Sequence, residues 1–475
     1  MNPASTDRTP VVILGAGPAG LGAALRLARR RVFDLTVLER GAEVGGNAGS
    51  FQLDGLHLDY GSHRLHPSCA PEVLSDIRAM LGDDLLERPR HGRIRLRGRW
   101  VHFPLRPLDL AANLPPAFAW GVLRDAAFKA RYRNGTETFA SVLEHGLGRT
   151  ICRDFYFPYA SKIWGLAPSQ LDAEQARRRV SAGSLTKMFR RILRGATSAG
   201  SPIGKCFYYP RRGYGQISDA YYQAALHAGA DVRLRTSVTA IELEDRRVVA
   251  VRAEGPSGQL RLPAPQVLST IPLPLLVRLL VPQAPPDVLA SAAALRYRSM
   301  ILVYLELAAD RFTEFDAHYF PETAIAITRL SEPKNYSLAG PPGRTVLCAE
   351  LPCSPQDPVW ASDDRQLGAL VLDALAAAGI PVRVPVLNVL SRRLEQAYPI
   401  YTLDYRRHFD RLDSFLAAID GLLTFGRQGL FAHDNTHHAL AMAYAAADSL
   451  DDHARLDSAQ WAACRRRFEQ HVVED

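Results

Sequence analysis

Two periods alternate along the chain, and the first change between them carries the most information. Residues 11–14 are an unbroken apolar run, the pattern of a strand buried on both faces. Leu21, Leu25 and Ala28 then recur at helical spacing, and a second apolar run over 35–38 ends in Glu39. Between the first run and the helix stands Gly15-Ala16-Gly17-Pro18-Ala19-Gly20. Strand, glycine turn, helix, strand and acidic end, in that order, form a βαβ dinucleotide-binding unit. Gly15 permits the tight turn, Gly17 lets backbone approach a pyrophosphate, and Gly20 allows close helix–strand contact. The helix N-terminus favours the negative charge, and Glu39 is placed to bind the hydroxyls of an adenosine ribose.

Further along, the pattern predicts a helix over 216–229 and strands over 231–234, 237–244, 247–252 and 267–272. The last of these reads as a return to the first sheet. Strands follow over 300–307 and 345–351, and helices over 364–378 and 436–448. The expected fold is α/β: a Rossmann-like cofactor-binding domain with an inserted mixed α+β substrate domain. The cofactor domain takes residues 1–70, 206–290 and 401–475. The substrate domain takes 71–205, expected to be helical, and 291–400.

Composition changes this picture in a few places. A chain of 475 residues that is 47% hydrophobic buries a large core, divided over two or three domains. Its net charge of +8 suits a small anionic substrate. The short runs Arg29-Arg30-Arg31 and Arg177-Arg178-Arg179 read as solvated helix faces, and no nucleic-acid motif accompanies them. No apolar stretch is long enough to cross a membrane, and the first residues lack the apolar centre of a cleaved leader. Six scattered cysteines form no C-x-x-C pair, so neither a disulfide framework nor a metal centre is expected, and the expected location is the cytoplasm. The adjacent pair His437-His438 diverges on a helix and makes a poor metal site. Residues 103–133 are apolar and then basic; helices packed over the substrate pocket are favoured there over a membrane-surface segment. G-x-S-x-G and H-E-x-x-H are absent, which sets aside serine hydrolysis and zinc proteolysis.

Glu39-Arg40 followed by Gly45-Gly46-Asn47 resembles the E-R-x-x-x-x-G-G signature of FAD enzymes in the amine oxidase and protoporphyrinogen oxidase superfamily. Five further segments, in order, are similar to the UDP-galactopyranose mutase branch of that superfamily. They are Tyr60-Gly61-Ser62-His63-Arg64-Leu65-His66, Lys162-Ile163-Trp164-Gly165, Thr328-Arg329, Tyr398-Pro399-Ile400-Tyr401 and residues 425–435. The resemblance implies non-covalent FAD held by Gly15, Gly17, Gly20, Glu39, Arg40, Gly45, Gly46, Asn47, Val238, Gly426, Arg427 and Asn435. It implies substrate contacts from Trp164, Arg329, Tyr398, Tyr401 and Phe431, and catalytic roles for His63, Arg329, Tyr398, Arg427 and His433. The implied reaction is a redox-neutral pyranose–furanose interconversion of a nucleoside-diphosphate sugar, with flavin N5 attacking the anomeric carbon.

Departures from the family pattern keep a second reading open. Phe431 and His433 replace two tyrosines, and Asn435 replaces an acid. The second phosphate-binding arginine has no counterpart; Arg178, Arg179, Arg211 and Arg212 are candidates. The alternative is an oxidase or dehydrogenase that passes hydride from a small molecule to flavin.

Overall fold

The computed structural model describes residues 8–127, 137–179 and 206–473. The two N-terminal apolar runs become parallel neighbours, Thr9–Leu14 and Phe33–Leu38, with Val12 opposite Thr36. Gln266–Ser269 pairs on the other side of Thr9–Leu14, Leu422–Thr424 lies beyond it, and Asp231–Arg233 flanks Phe33–Leu38. The result is a five-stranded parallel sheet. Residues 11–14 of its first strand are all apolar because successive residues serve different cores. Val11 and Ile13 pack with Leu21 of helix Pro18–Ala28, Ile217 of Gln216–His227 and Leu440 of Thr436–Asp448. Val12 and Leu14 pack with Leu276, Leu412 and Leu416 on the opposite face. An antiparallel meander of Ser237–Glu244, Arg247–Gly255 and Gly258–Pro263 completes this part.

A second, seven-stranded sheet runs in the order Val386–Ile400, Arg296–Leu307, Thr345–Cys353, Arg329–Ser331, Ala317–Tyr319, Gly92–Leu96 and Arg99–Phe103. Ile301, Val303 and Leu305 face helix Asp364–Ala377. Met300, Leu302 and Tyr304 face Phe51 and Leu58 of the hairpin that follows the nucleotide-binding unit.

The segment expected to be helical also supplies strands, a correction with a clear cause. Ile94, Leu96 and Val101 are buried and alternate with arginines, a period-two pattern that the charge obscures. Arg97 and Gly98 turn the hairpin with φ of +53° and +75°, the mirror-image geometry that suits strand twist. Leu85–Pro89 pairs with Cys206–Pro210 from the far side of the insertion.

One irregularity ties the two sheets together. Arg298 pairs with Tyr398, but Met300 pairs with Leu394, so residues 395–397 leave the ladder. Their freed carbonyls accept hydrogen bonds from the loops that carry Asn47 and Arg427. Gln396 O accepts from Asn47 Nδ2 at 3.1 Å and Gln428 Nε2 at 2.8 Å, and Ala397 O accepts from Arg427 Nη2. No helix among the described residues is long and apolar enough to cross a membrane, and all six cysteines are buried and none forms a disulfide.

Candidate active site

The glycine turn closes tightly at one end and stays open at the other. A Cβ on Gly20 would lie 1.9 Å from the Gly15 carbonyl oxygen, whereas one on Gly17 would meet nothing within 4 Å. That open ground fronts the N-terminus of helix Pro18–Ala28, which has no side-chain cap, so its first N–H groups are free for an anion. Gly45 N donates to Ala16 O at 2.8 Å and holds the Gly45-Gly46 turn against the same space. Glu39 braces the cradle: its carboxylate accepts from Ala16 N at 2.8 Å and Gly41 N at 2.7 Å. Thr236 N donates to Glu39 O, which brings the chain past it toward half-buried Val238. Gly426 stands against Ala19, and Arg40 points to solvent. Asn435 heads helix Thr436–Asp448, its N–H directed at His438 Nδ1, 3.2 Å away. The donors, the open loop and the acidic brace fit a dinucleotide cofactor.

His63 lies beyond the cradle, stacked on Tyr214 with ring centroids 5.2 Å apart. Its Nε2 donates to the Tyr60 carbonyl at 2.9 Å, which leaves Nδ1 as an acceptor. Burial lowers its pKa, Asp59 partly offsets that, and the ring is neutral. Arg329 is close by but engaged. Its Nη2 and Nε lie 2.7 and 2.9 Å from one oxygen of Glu350, and Ser62 N donates to that same oxygen.

The open cations lie elsewhere. The guanidiniums of Arg427 and Arg179 both sit over the Tyr398 ring, 5.0 and 5.2 Å from its centroid. Arg179 also covers Trp164, whose edge meets Tyr398 at 5.7 Å and His433 at 5.2 Å. Neither arginine forms an ion pair with a carboxylate among the described residues. Burial and the repulsion of Arg179 lower the pKa of Arg427. His433 is held neutral by burial and by Arg179, Arg427 and Arg178. The arginine run expected on a solvated face is therefore divided: Arg177 is exposed, Arg178 is buried against Glu174, and Arg179 enters the site. Arg211 and Arg212 pair with Asp84 at the surface, away from these rings.

Tyr401 and Phe431, expected to touch substrate, are core residues one layer back. Tyr401 stacks on Tyr405 at 4.0 Å and donates its hydroxyl to Phe431 O at 2.9 Å. Phe431 adopts φ +47° and is fully buried against Tyr297. Sequence reasoning missed Glu350. Its signal was a lone acid in the otherwise apolar run of Thr345–Cys353, and a buried acid needs a partner.

Asp434, His438 and His471 present three possible metal-ligand atoms within 4.8 Å of one another. His471 Nδ1 donates to Asp434 Oδ1 at 2.9 Å, and His438 Nδ1 lies 3.3 Å from that oxygen and 3.2 Å from Asn435 N.

Fold and cradle together define an FAD-dependent enzyme built on a dinucleotide-binding sheet. The chain belongs to the family of flavin containing amine oxidoreductases, whose profile matches residues 18–439. Among solved structures, a reduced UDP-galactopyranose mutase superposes with a TM-score of 0.78 at 21% identity, covering 93% of each chain. A putative protoporphyrinogen oxidase from Exiguobacterium sp. 255-15 gives a TM-score of 0.71 at 21% identity, over 93% of this chain and 98% of that one. At these identities the likeness is one of fold. In sequence, a phytoene dehydrogenase from Streptomyces griseus is 29% identical over 304 residues, 57% of this chain and 55% of that protein. The chain thus spans about half the length of that curated relative.

Proposed function

We propose that this enzyme acts on a small anionic substrate of the nucleoside-diphosphate-sugar class, by a mutase-type rearrangement at FAD. One observation carries the reading: Arg179 and Arg427 converge on Tyr398 beside Trp164 with no described carboxylate to neutralise them. Half-buried guanidiniums with no carboxylate beside them are suited to bidentate contact with a phosphate.

Each residue then has a role set by its position. The loop at Gly17 and the N-terminus of Pro18–Ala28 receive the cofactor pyrophosphate, with Gly45, Gly46 and Gly426 shaping the space around it. Glu39 takes the ribose, Arg40 and Val238 flank that end, and Asn435 heads the second helix that faces the cofactor. FAD, when bound, supplies either an electron pair at N5 or a hydride-accepting ring. His63 presents a neutral Nδ1 beside it. Trp164 walls the nucleotide side, and Tyr398 offers its hydroxyl to the substrate. Arg179 and Arg427 stabilise the charge of a departing diphosphate. His433 stays neutral and fills space between the arginines. Arg329 positions the loop of Ser62 and His63 through Glu350. Asn47 and Gln428 hold the bulged strand that carries Tyr398.

The departures at Phe431, His433 and Asn435 favour a second reading, hydride transfer to oxidised flavin. A paired experiment separates the two. Dithionite-reduced enzyme is incubated without oxygen with nucleoside-diphosphate hexoses in both ring forms, and oxidised enzyme is mixed with the same compounds. An isomeric product at unchanged flavin oxidation state is the expected result. Bleaching of oxidised flavin, with no isomerisation by the reduced form, would replace the mutase reading with an oxidoreductase.

A further inference from the structure

The entry to helix Thr436–Asp448 and the residues after helix Ser458–Phe468 bring three side chains together. Asp434 and His438 stand four residues apart at that entry. His471 reaches them from the other element and stacks on His438, with ring centroids 4.2 Å apart and an interplanar angle of 13°. The Asp434 side chain is fully buried, and its Oδ2 has no hydrogen-bond partner. Its Oδ1 lies 2.9 Å from His471 Nδ1 and 3.3 Å from His438 Nδ1. Asn435 N donates to His438 Nδ1 at 3.2 Å, so that nitrogen carries no proton. It nonetheless faces the carboxylate, acceptor against acceptor. Such a contact is repulsive unless a positive centre stands between the two. His471 is held in place from behind: its N–H donates to Phe468 O at 3.1 Å, its ring meets the buried Phe468 ring at 5.6 Å, and Val473 N donates to Arg178 O at 2.8 Å.

Charge and spacing both suit a small cation. Arg178, Arg406 and Arg465 line the cavity beside Asp434, and each is matched by another acid. Arg178 pairs with Glu174 at 2.8 Å, Arg406 with Asp410 at 2.9 Å and Arg465 with Asp413 at 3.0 Å. Donor atoms held tetrahedrally around zinc lie about 3.4 Å from one another. The three here lie within 4.8 Å of one another, and Asp434 Oδ1 and His438 Nδ1 already stand at 3.3 Å. His471 need recede by only about 0.5 Å to match. The side chains of His438 and His471 are 14 and 18% exposed, which gives an ion a way in and leaves a fourth position for water.

We propose that Asp434, His438 and His471 bind one divalent transition-metal ion of the zinc class, with water as the fourth ligand. Two imidazoles and one carboxylate select such an ion over magnesium or calcium, which take oxygen shells. His471 binds through Nδ1 as the tautomer protonated at Nε2, so its neutral ring needs no net loss of a proton. His438 exchanges its contact with Asn435 N for the metal, and half-buried Asn435 turns that N–H to water. The ion clamps the head of Thr436–Asp448 to the chain beyond Ser458–Phe468, whichever reaction the flavin performs. Six cysteines that form no motif say nothing of this site, and its two histidines are far apart in the chain.

The test is calorimetric titration of zinc chloride into FAD-loaded enzyme previously freed of metal with a chelator, with the melting temperature followed in parallel. One equivalent is expected to bind and to raise the melting temperature. Affinity should fall about a hundredfold in His438→Ala and in His471→Ala, since losing even an outer partner of a ligand costs about ten- to a hundredfold. His453→Ala, at an exposed histidine outside the cluster, should bind as the wild type does. Magnesium chloride should neither bind nor raise the melting temperature. An unchanged flavin spectrum shows that each variant is folded. No saturable equivalent in the wild type, or equal affinity in the wild type and both cluster variants, overturns the proposal. So does magnesium binding as tightly as zinc, or a loss in His453→Ala as large as in the cluster variants.

Discussion

Arg329 and Arg179 differ in what neutralises them, and their substitutions should differ accordingly. Arg329 is 14% exposed and Glu350 5%, so Arg329→Ala strands a buried carboxylate and should cost about 3 kcal/mol, read by chemical denaturation. Arg179→Ala removes a cation that no described acid balances. It should leave stability nearly unchanged and raise KM for an anionic substrate by about tenfold or more. If stability fell equally in both variants, Arg179 would be structural. Acid exposes a different group of residues. His433 and His318 are buried, and each has its pKa held well below the ordinary 6.5. Below that pH the unfolded chain takes up protons that the native state refuses, so stability is lost as pH falls, by up to ~1.4 kcal/mol per pH unit for each ring. His433→Phe should flatten the profile of denaturation midpoint against pH in that window.

At the scale of elements, the helices that face the cofactor stand or fall together. Gly22 of Pro18–Ala28 meets Thr436–Asp448 so closely that a Cβ would lie 3.0 Å from both Ala443 Cβ and Leu440 Cδ2. Gly22→Val should force the pair apart, and flavin content of the purified variant should drop with its melting temperature. Retention of full flavin at a lowered melting temperature would show that the helix ends are positioned independently. The same elements show what the sequence made legible. The parallel strands and the helix over 436–448 were written in uninterrupted or 3.6-fold apolar patterns, and they stand where expected. Gly92–Leu96 and Arg99–Phe103 escaped because arginine fills their solvent face. In the site, Glu39 and Trp164 could be placed by motif. Arg179 could not, because adjacent arginines of one helix look alike until packing turns one outward, one inward and one across a tryptophan.

Across the whole molecule, cofactor and fold are linked by mass action. A ligand that binds only the folded chain stabilises it by about 2.7 kcal/mol at a hundred times its Kd. Removing FAD should therefore lower the melting temperature, and titrating it back should restore it in a concentration-dependent way. In Glu39→Ala the curve should shift to higher FAD concentration, since that variant loses the proposed ribose acceptor together with the brace on Ala16 and Gly41. An unshifted curve would count against the role given to Glu39.

The bulge at residues 395–397 also bears on how such an enzyme can change over generations. It sets which face of the strand Tyr398 occupies and which carbonyls reach Asn47, Arg427 and Gln428. Losing one residue there would turn every following side chain to the opposite face and present Pro399 in place of the tyrosine. It would also unfasten the cofactor loops in the same stroke. Descendants with new substrates are thus confined to exchanging side chains at positions such as 179 and 398 while the length of this stretch stays fixed, and a library that varies its length should yield almost only inactive chains.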